Sequence, residues 1–534
     1  MLPASFPNRT AIVTALVASM VTLTVHARQP KLVVGIMVDG LRQEYIDLLR
    51  NQFGPNGFNR LLGNGVVLEN VDYGTPLDAA AATAVVMTGA SPSVNGIAAA
   101  RHYDPQGRRF NSSVLDPKTV GNYTDETFSP RNLRVSTLSD ETRIAGAGVT
   151  YAYSVAPEPE QAILMGGHAS NSVVWLNDKT GNWASSTFYG DIPTTLTNRN
   201  RLTPLATRLD QMQWEPSGNS AATDFLPEHL TRYPFRYTFP RSNNDRIAAF
   251  KSSPLVNSEV TQIATDLITT LQLGSHDGPD MLNLAYTLLP YEFSKTAENR
   301  YELVDSYVKL DADIATLLST IDTRVGRDNA IIFVAATPSS GRRRRDDDKW
   351  NIPTGEFSTR KAASLLNLYL IALHGNGDWV KAIAENQFYL NGETAKAHNI
   401  EMGVLRRETA DFLKRMAGVD RATTIDDILA GTTGYDNGEA LRRNTVHSVS
   451  GDVRIDLMPG WELIDDYNQA GKRTGEVDID AVTTSPAYIL APGVEPATIK
   501  GTVDARVIAP TIAGQMHIRP PNGASLPPMR FDTK

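Results

Sequence analysis

The acidic residue best placed to do chemistry is Asp39, which ends the apolar run Lys31-Leu-Val-Val-Gly-Ile-Met-Val-Asp39. A short apolar run that stops at a turn signal, here Asp39-Gly40, is typical of a strand buried on both faces of a parallel sheet. Ligands of such sheets bind beyond the carboxyl ends of the strands. Asp39 is therefore the first candidate for a functional site, as a metal-binding carboxylate or as the cap of the next helix or turn.

Four other side chains could take part in the same chemistry, namely Asp78, Thr83, Glu158 and Glu160. An aspartate or threonine becomes a nucleophile only where a base or a metal activates it, and the sequence provides no evident activator. Carboxylates are hard ligands that suit Mg²⁺, Mn²⁺ or Ca²⁺ better than Zn²⁺. The chain has nine histidines, and no two of them are spaced as ligands in an H-x-x-x-H pattern.

Alternating strand and helix patterns surround these residues. Strands are predicted at 66–71, 148–155, 162–166, 280–286 and 330–336, in addition to the run that ends at Asp39. A helix is expected from Thr75-Pro76 to Met87, and a second carries apolar residues three and four apart between Leu303 and Ile321. Strand, helix and strand in this order predict an α/β fold with a doubly wound, largely parallel sheet between helices.

Two segments depart from this pattern. Residues 178–275 are richer in Thr, Asn, Pro and aromatic residues and have weak periodicity, so we predict an inserted cap over the carboxyl end of the sheet. The block Arg342-Arg-Arg-Arg-Asp-Asp-Asp-Lys349 is predicted to be a solvated loop.

The first residues of the chain and its composition limit where the protein can be located and what it can bind. Residues 1–27 contain Arg9, a short apolar core and the small residue Ala27, which predicts a cleaved signal peptide. The apolar core is shorter than the ~20 residues of a spanning helix, so we expect no transmembrane segment in the mature chain. The chain has no cysteine, so it has neither disulfides nor a lipid anchor at the cleavage site, and its net charge of −8 argues against nucleic acid. We expect a periplasmic or secreted protein of a Gram-negative bacterium.

A set of ordered segments resembles the alkaline phosphatase superfamily, specifically the secreted zinc-dependent bacterial phosphatases and their nucleotide pyrophosphatase/phosphodiesterase relatives. The likeness covers roughly residues 31 to 525 in the same order. The segments include Val33-Val-Gly-Ile-Met-Val-Asp-Gly40, Ala162-Ile-Leu-Met-Gly-Gly-His168, Ile352-Pro-Thr-Gly-Glu-Phe357, Ser450-Gly-Asp-Val453 and Ile508-Ala-Pro-Thr-Ile-Ala513. The resemblance implies one α/β domain over residues 28–534, with two zinc ions and a Thr or Ser nucleophile at the carboxyl end of the sheet.

Most residues of that implied site differ in this chain. Asp39 matches the first metal-binding aspartate, but Ala79 stands at the nucleophile position. Two implied Asp and His pairs align with Pro290 and Ser294 and with Thr337-Pro338, and the last His aligns near Gly475. Ala100 stands where a substrate-binding Asn is implied, and Glu158 and Glu160 stand where Lys and Arg are implied.

These differences predict a pseudoenzyme with no catalytic residue and no bound cofactor. Asp39 is then a remnant of the metal site and is expected to cap the following helix or turn. The leading hypothesis is a non-catalytic binding or scaffold protein whose partner is an envelope protein or a small ligand. The alternatives are a phosphomonoesterase or phosphodiesterase with a rebuilt Mg²⁺, Mn²⁺ or Ca²⁺ site, and a structural subunit of an envelope assembly.

Overall fold

The computed structural model describes residues 29–104, 107, 109–217, 234–294, 300–338, 355–384, 386–458, 460–464, 466–467, 476–477 and 483–532. The predicted signal peptide, the charged block 342–349 and Gly475 lie outside the described residues.

The strands are short and are distributed along the whole described chain. In chain order they are β1 (Leu32–Asp39), β2 (Val66–Asp72), β3 (Arg101–Asp104), β4 (Arg109–Ser112), β5 (Gly121–Asn122), β6 (Ala152–Ala156), β7 (Ser172–Leu176), β8 (Trp183–Ser186), β9 (Gln213–Trp214), β10 (Tyr237–Thr238), β11 (Asp280–Thr287), β12 (Ala330–Thr337), β13 (Gly355–Ser358), β14 (Val380–Ala384), β15 (Gln387–Leu390), β16 (Val419–Thr424), β17 (Val453–Leu457), β18 (Trp461–Ile464), β19 (Glu476–Val477), β20 (Thr484–Leu490) and β21 (Ala497–Asp504).

Ten of these strands form one central sheet in the order β21-β2-β20-β12-β1-β11-β6-β7-β8-β5. The middle of the sheet is parallel, because β1 pairs in parallel with both β11 and β12, and β6 pairs in parallel with β11 and β7. Strand β20 runs antiparallel between β12 and β2. The predicted fold class, a doubly wound and largely parallel sheet between helices, is confirmed.

Helices cover both faces of this sheet and build a smaller lobe. They are α1 (Gln43–Leu48), α2 (Phe58–Asn64), α3 (Ala79–Thr88), α4 (Pro92–Asn95), α5 (Leu138–Ala145), α6 (Pro159–Gly166), α7 (Thr194–Leu202), α8 (Leu205–Arg208), α9 (Arg246–Lys251), α10 (Leu255–Thr270), α11 (Arg300–Arg324), α12 (Thr359–His374), α13 (Gly392–Ala397), α14 (Met402–Leu413), α15 (Ile425–Ala430), α16 (Gly438–Asn444) and α17 (Ile508–Gln515), with short 3₁₀ turns at Arg50–Gln52, Arg327–Asn329 and Ala505–Val507.

Strand β1 contributes to two hydrophobic cores because its successive side chains point to opposite faces of the sheet. Leu32, Val34, Ile36 and Val38 pack with α2, α10 and α11 on one face. Val33 and Met37 pack with α3, α6 and α17 on the other. Burial on both faces explains why β1 is an almost continuous apolar run.

Two sequence predictions of local structure are wrong. Residues 162–166 belong to helix α6, not to a strand, and Pro159 in its first turn is the signal that favours the helix. The helix expected from Thr75 begins at Ala79, because the side chain of Asp78 accepts a hydrogen bond from the Ala81 amide and caps it.

The cap over residues 178–275 stays a prediction, but the end of this range belongs to the main core. Helix α10 in this range packs against β11 and α11, and its apolar side chains belong to the core beside the sheet. The lobe that faces the start of α3 is instead built from residues 355–467, around a core of its own. Asn444 of this lobe donates hydrogen bonds to the Tyr73 carbonyl and to Thr75 Oγ1.

A buried ion-pair cluster fixes α7 and α8 to α10. Arg199 and Arg208 each bond both carboxylate oxygens of Glu259 at 2.6–2.8 Å, and Glu259 is 2% exposed. Burial opposes ionisation of Glu259, but the hydrogen bonds from the two arginines outweigh it and lower its pKa to about 2.

We predict that Glu259→Gln lowers the free energy of unfolding by about 3 kcal/mol, because it leaves two arginines without their carboxylate. The stabilisation by Glu259 is present above its ordinary pKa of 4.5 and disappears as the pH falls towards 2. Urea unfolding at neutral and acidic pH measures both effects. Glu439→Gln, at an exposed position, is the control, and an equal effect of the two substitutions would contradict the prediction.

Candidate functional site

Asp39 lies at the carboxyl edge of the sheet between two threonines. The register of β1 places it beside Thr287 of β11 and Thr337 of β12. Thr337 Oγ1 donates a hydrogen bond to Asp39 Oδ1. The carboxylate of Asp39 is thus bonded to the neighbouring strand. The next helix, α1, has Arg42 as its N-cap, so the prediction that Asp39 caps it is wrong.

The pKa of Asp39 reflects this environment. The pKa of Asp39 is raised from 3.8 to about 6: burial raises it most, the hydrogen bond from Thr337 lowers it, and the charges of Asp78 and Glu158 raise it. A hydroxyl group stabilises a carboxylate far less than a cation does. Asp39 therefore ionises with more difficulty than an ordinary aspartate.

The start of α3 carries the nucleophile position of the implied site. Ala79 is the first residue of the helix and has no atom that could attack a phosphate. Asp78 precedes it, and its two oxygens accept the amides of Ala81 at 2.9 Å and Ala100 at 2.6 Å. Thr83 is fully buried within the helix, so it does not face the cleft, by which we mean the space at the carboxyl edge of the sheet next to Asp39.

Glu158 and Glu160 are near the cleft but have partners of their own. Lys251 of α9 lies between Glu158, at 2.9 Å, and Asp178, at 2.5 Å. Burial alone would lower the pKa of Lys251, but the two carboxylates raise it, so the ammonium group stays charged. Glu160 Oε1 accepts a hydrogen bond of 2.6 Å from Ser112 Oγ.

The other aligned positions that the structure describes provide no hydrogen bond to Asp39. Ser294 Oγ donates to Glu302 at 3.0 Å, in an aromatic cluster beside α11. Pro290 is half-buried and Pro338 is buried, and neither side chain has a donor atom. Of the aligned residues, only Thr337 is hydrogen-bonded to Asp39.

The donor set does not fit a two-zinc site. In the described ranges, no three His, Cys, Asp or Glu side chains converge where they could hold a metal ion. The groups beside Asp39 are threonine hydroxyls, whereas zinc in proteins is bound by imidazole, thiolate and carboxylate. His168, which follows α6, is bonded to Asp140 at 3.1 Å instead.

Sequence reasoning missed Lys251 and Thr287. Lys251 lies in the weakly periodic middle of the chain, so no pattern connected it with Glu158. Thr287 could have been found, because it follows the predicted strand at 280–286 and therefore lies at the same edge as Asp39.

A mostly parallel sheet between helices, with its candidate site at the carboxyl edge, defines a doubly wound α/β protein. A sequence model described as type I phosphodiesterase / nucleotide pyrophosphatase matches residues 33–478. The chain belongs to this family.

Several relatives match nearly the whole chain. A Myroides odoratus protein named calcium-transporting ATPase is 29% identical over 518 residues, 93% of either chain. Alkaline phosphatase PhoV of Synechococcus elongatus is 29% identical over 527 residues, 93% of this chain and 92% of the relative. The crystal structure of wild-type alkaline phosphatase PafA has a TM-score of 0.80 at 23% identity, covering 94% of this chain and 98% of that chain, and shows the same fold.

The helices of the described residues are short or carry many polar side chains. None of the helices there is both long and apolar enough to cross a membrane.

We predict that Asp39→Asn stabilises the protein at high pH. In the folded chain Asp39 has a pKa of about 6 against an ordinary 3.8, so its ionisation opposes folding once the pH rises through 6. The variant should be more stable than the parent by about 2 kcal/mol near pH 8, and the two should be alike near pH 4.

Thermal unfolding at both pH values measures this difference. Asp47→Asn, at an exposed position, is the matched control and should have little effect. Destabilisation by Asp39→Asn at the higher pH would mean that a cation compensates the charge of Asp39.

Proposed function

We propose that this chain is a non-catalytic member of its family that works by binding a small ligand or an envelope protein. One observation carries the proposal. At the strand end where the resemblance implies a metal ligand, Thr337 donates a hydroxyl hydrogen bond to Asp39. Thr337 stands where the resemblance implies an acidic metal ligand, so Asp39 meets a neutral hydroxyl donor there and not a second carboxylate that could share a metal ion.

The start of α3 supports the same conclusion. A phospho-enzyme requires an oxygen nucleophile, and Ala79 has none. The neighbouring Asp78 cannot readily replace it, because both its oxygens accept backbone amides. Its carboxylate serves to cap the helix.

The charges of the cleft also disfavour phosphate esters. Glu158 and Glu160 stand where the resemblance implies Lys and Arg, so a phosphate would meet carboxylates. The nearby cation Lys251 is already shared between Glu158 and Asp178, and the charge of Arg101 acts on Glu160. The net effect is a cleft that repels anionic esters.

The alternative, a hydrolase with a rebuilt Mg²⁺, Mn²⁺ or Ca²⁺ site, has less support. Its candidate ligands are Asp39, Asp78, Glu158 and Glu160. Each of these carboxylates is engaged by a different protein group, namely the Thr337 hydroxyl, two amides, the Lys251 ammonium and the Ser112 hydroxyl.

We also propose a periplasmic or secreted location in a Gram-negative bacterium, from the pattern of residues 1–27. A protein that binds without turnover could act alone on a ligand or as a subunit of an envelope assembly. Copurification from native membranes separates these two cases, since an assembly subunit should bring its partners with it.

The test is hydrolysis of p-nitrophenyl phosphate and bis(p-nitrophenyl) phosphate by the purified mature chain. We expect no turnover above that of Asp39→Ala, with or without added Zn²⁺, Mg²⁺, Mn²⁺ or Ca²⁺. Turnover that disappears in Asp39→Ala would overturn the proposal. Activity that depends on Mg²⁺, Mn²⁺ or Ca²⁺ would support the rebuilt site.

A further inference from the structure

A separate cavity lies beside the start of α3, on the side of Asp78 that faces the 355–467 lobe. Its volume is about 160 Å³. Its walls come from the segment Thr75–Asp78, from the β3–β4 hairpin and from the lobe strands β15 and β17 with helices α15 and α16. Tyr389 of the lobe lines the cavity, and its ring contacts that of Tyr103 of the hairpin in a tilted arrangement with 5.0 Å between the ring centroids.

One wall of the cavity is apolar. It consists of Leu77, Tyr389, Ile425, Ile428 and Leu441. Each of these side chains is at most 8% exposed, so the wall is part of the packed core. An engineered apolar cavity of about 150 Å³ binds benzene, so the space here suits one ring or a short branched chain.

Two cationic side chains also line the cavity. Arg101 and Arg454 both line it, against a single carboxylate, that of Asp78. Arg101 forms no ion pair with any described residue, and Arg454 makes only a long contact of 3.4 Å with Asp456. The cavity is thus lined by two guanidinium groups and one carboxylate; Asp78 already accepts two amides, and the charge of Arg101 also acts on Glu160.

A buried amide also faces the cavity without a partner. Asn386 is 9% exposed, and its side chain makes no hydrogen bond to any part of the described chain. The amide atoms of Asn386 are not among the fully buried unpaired atoms of the described residues, so solvent reaches them and a ligand in the cavity can replace that water as their hydrogen-bond partner. This observation is independent of the charge of the cavity.

We propose that this cavity binds a small organic monoanion, a carboxylate attached to an aromatic ring or a short branched chain. The apolar wall holds the body of the ligand, and Arg454, Arg101 and the Asn386 amide hold its carboxylate. A dianion would exceed the available positive charge. The inference rests on the proposed function in that it supplies a ligand for a protein that works by binding.

Benzoate is the probe, and benzamide is its neutral control of the same shape. Calorimetric titration of the full mature chain should give saturable binding of benzoate with a Kd of about 1 mM, and binding of benzamide about tenfold weaker. Equal binding of the two compounds, or no saturable binding of benzoate, would overturn the proposal.

Two variants locate the site. Arg454→Gln and Asn386→Ala should each weaken benzoate binding by about tenfold. Arg421→Gln is the matched control, because Arg421 lies in the same four-stranded sheet but outside the cavity. Circular dichroism verifies the fold of each variant, and an unchanged benzoate affinity in both cavity variants would contradict the proposal.

The benzoate experiment is independent of the turnover assay. A chain that hydrolyses phosphate esters could still bind benzoate in this cavity, which would refute only the proposed function. A chain without turnover that fails to bind benzoate would refute only the cavity proposal.

Discussion

The hydrogen bond between Thr337 and Asp39 is the contact on which the interpretation of the cleft depends. Parallel pairing of β12 and β1 places these residues side by side at the carboxyl edge, where α/β proteins bind their ligands. A half-buried carboxylate at this edge needs a cation, a donor or a proton. Thr337 provides the donor, and the raised pKa of Asp39 shows that the donor compensates burial only in part.

The other acidic side chains of the cleft also need a cation, a hydrogen-bond donor or a proton. Asp78 is satisfied by backbone amides, and Glu158 by the buried ammonium group of Lys251. Each of these carboxylates therefore has a hydrogen-bond or ion-pair partner within the chain. The cavity beside α3 differs, because its arginines and the Asn386 amide keep unused hydrogen-bonding capacity.

Much of the fold was predictable because β1, β11 and β12 are buried on both faces and their sequences are therefore continuous apolar runs. Residues 162–166 were misassigned because a short apolar run fits a strand and a buried helix equally well. Thr337 lies beside Asp39 because β12 is the neighbour of β1 in the sheet, and a single sequence does not specify the order of the strands. Lys251 was beyond prediction for a similar reason: its contact with Glu158 joins segments far apart in the chain.

The most direct test is zinc content. The mature chain should be purified without chelator, equilibrated with excess Zn²⁺, desalted and analysed by elemental mass spectrometry. The account predicts a zinc-to-protein ratio near zero, because Asp39 has threonine hydroxyls beside it and no imidazole partner among the described residues. A ratio of about two, as in a two-metal phosphoryl-transfer site, would contradict it.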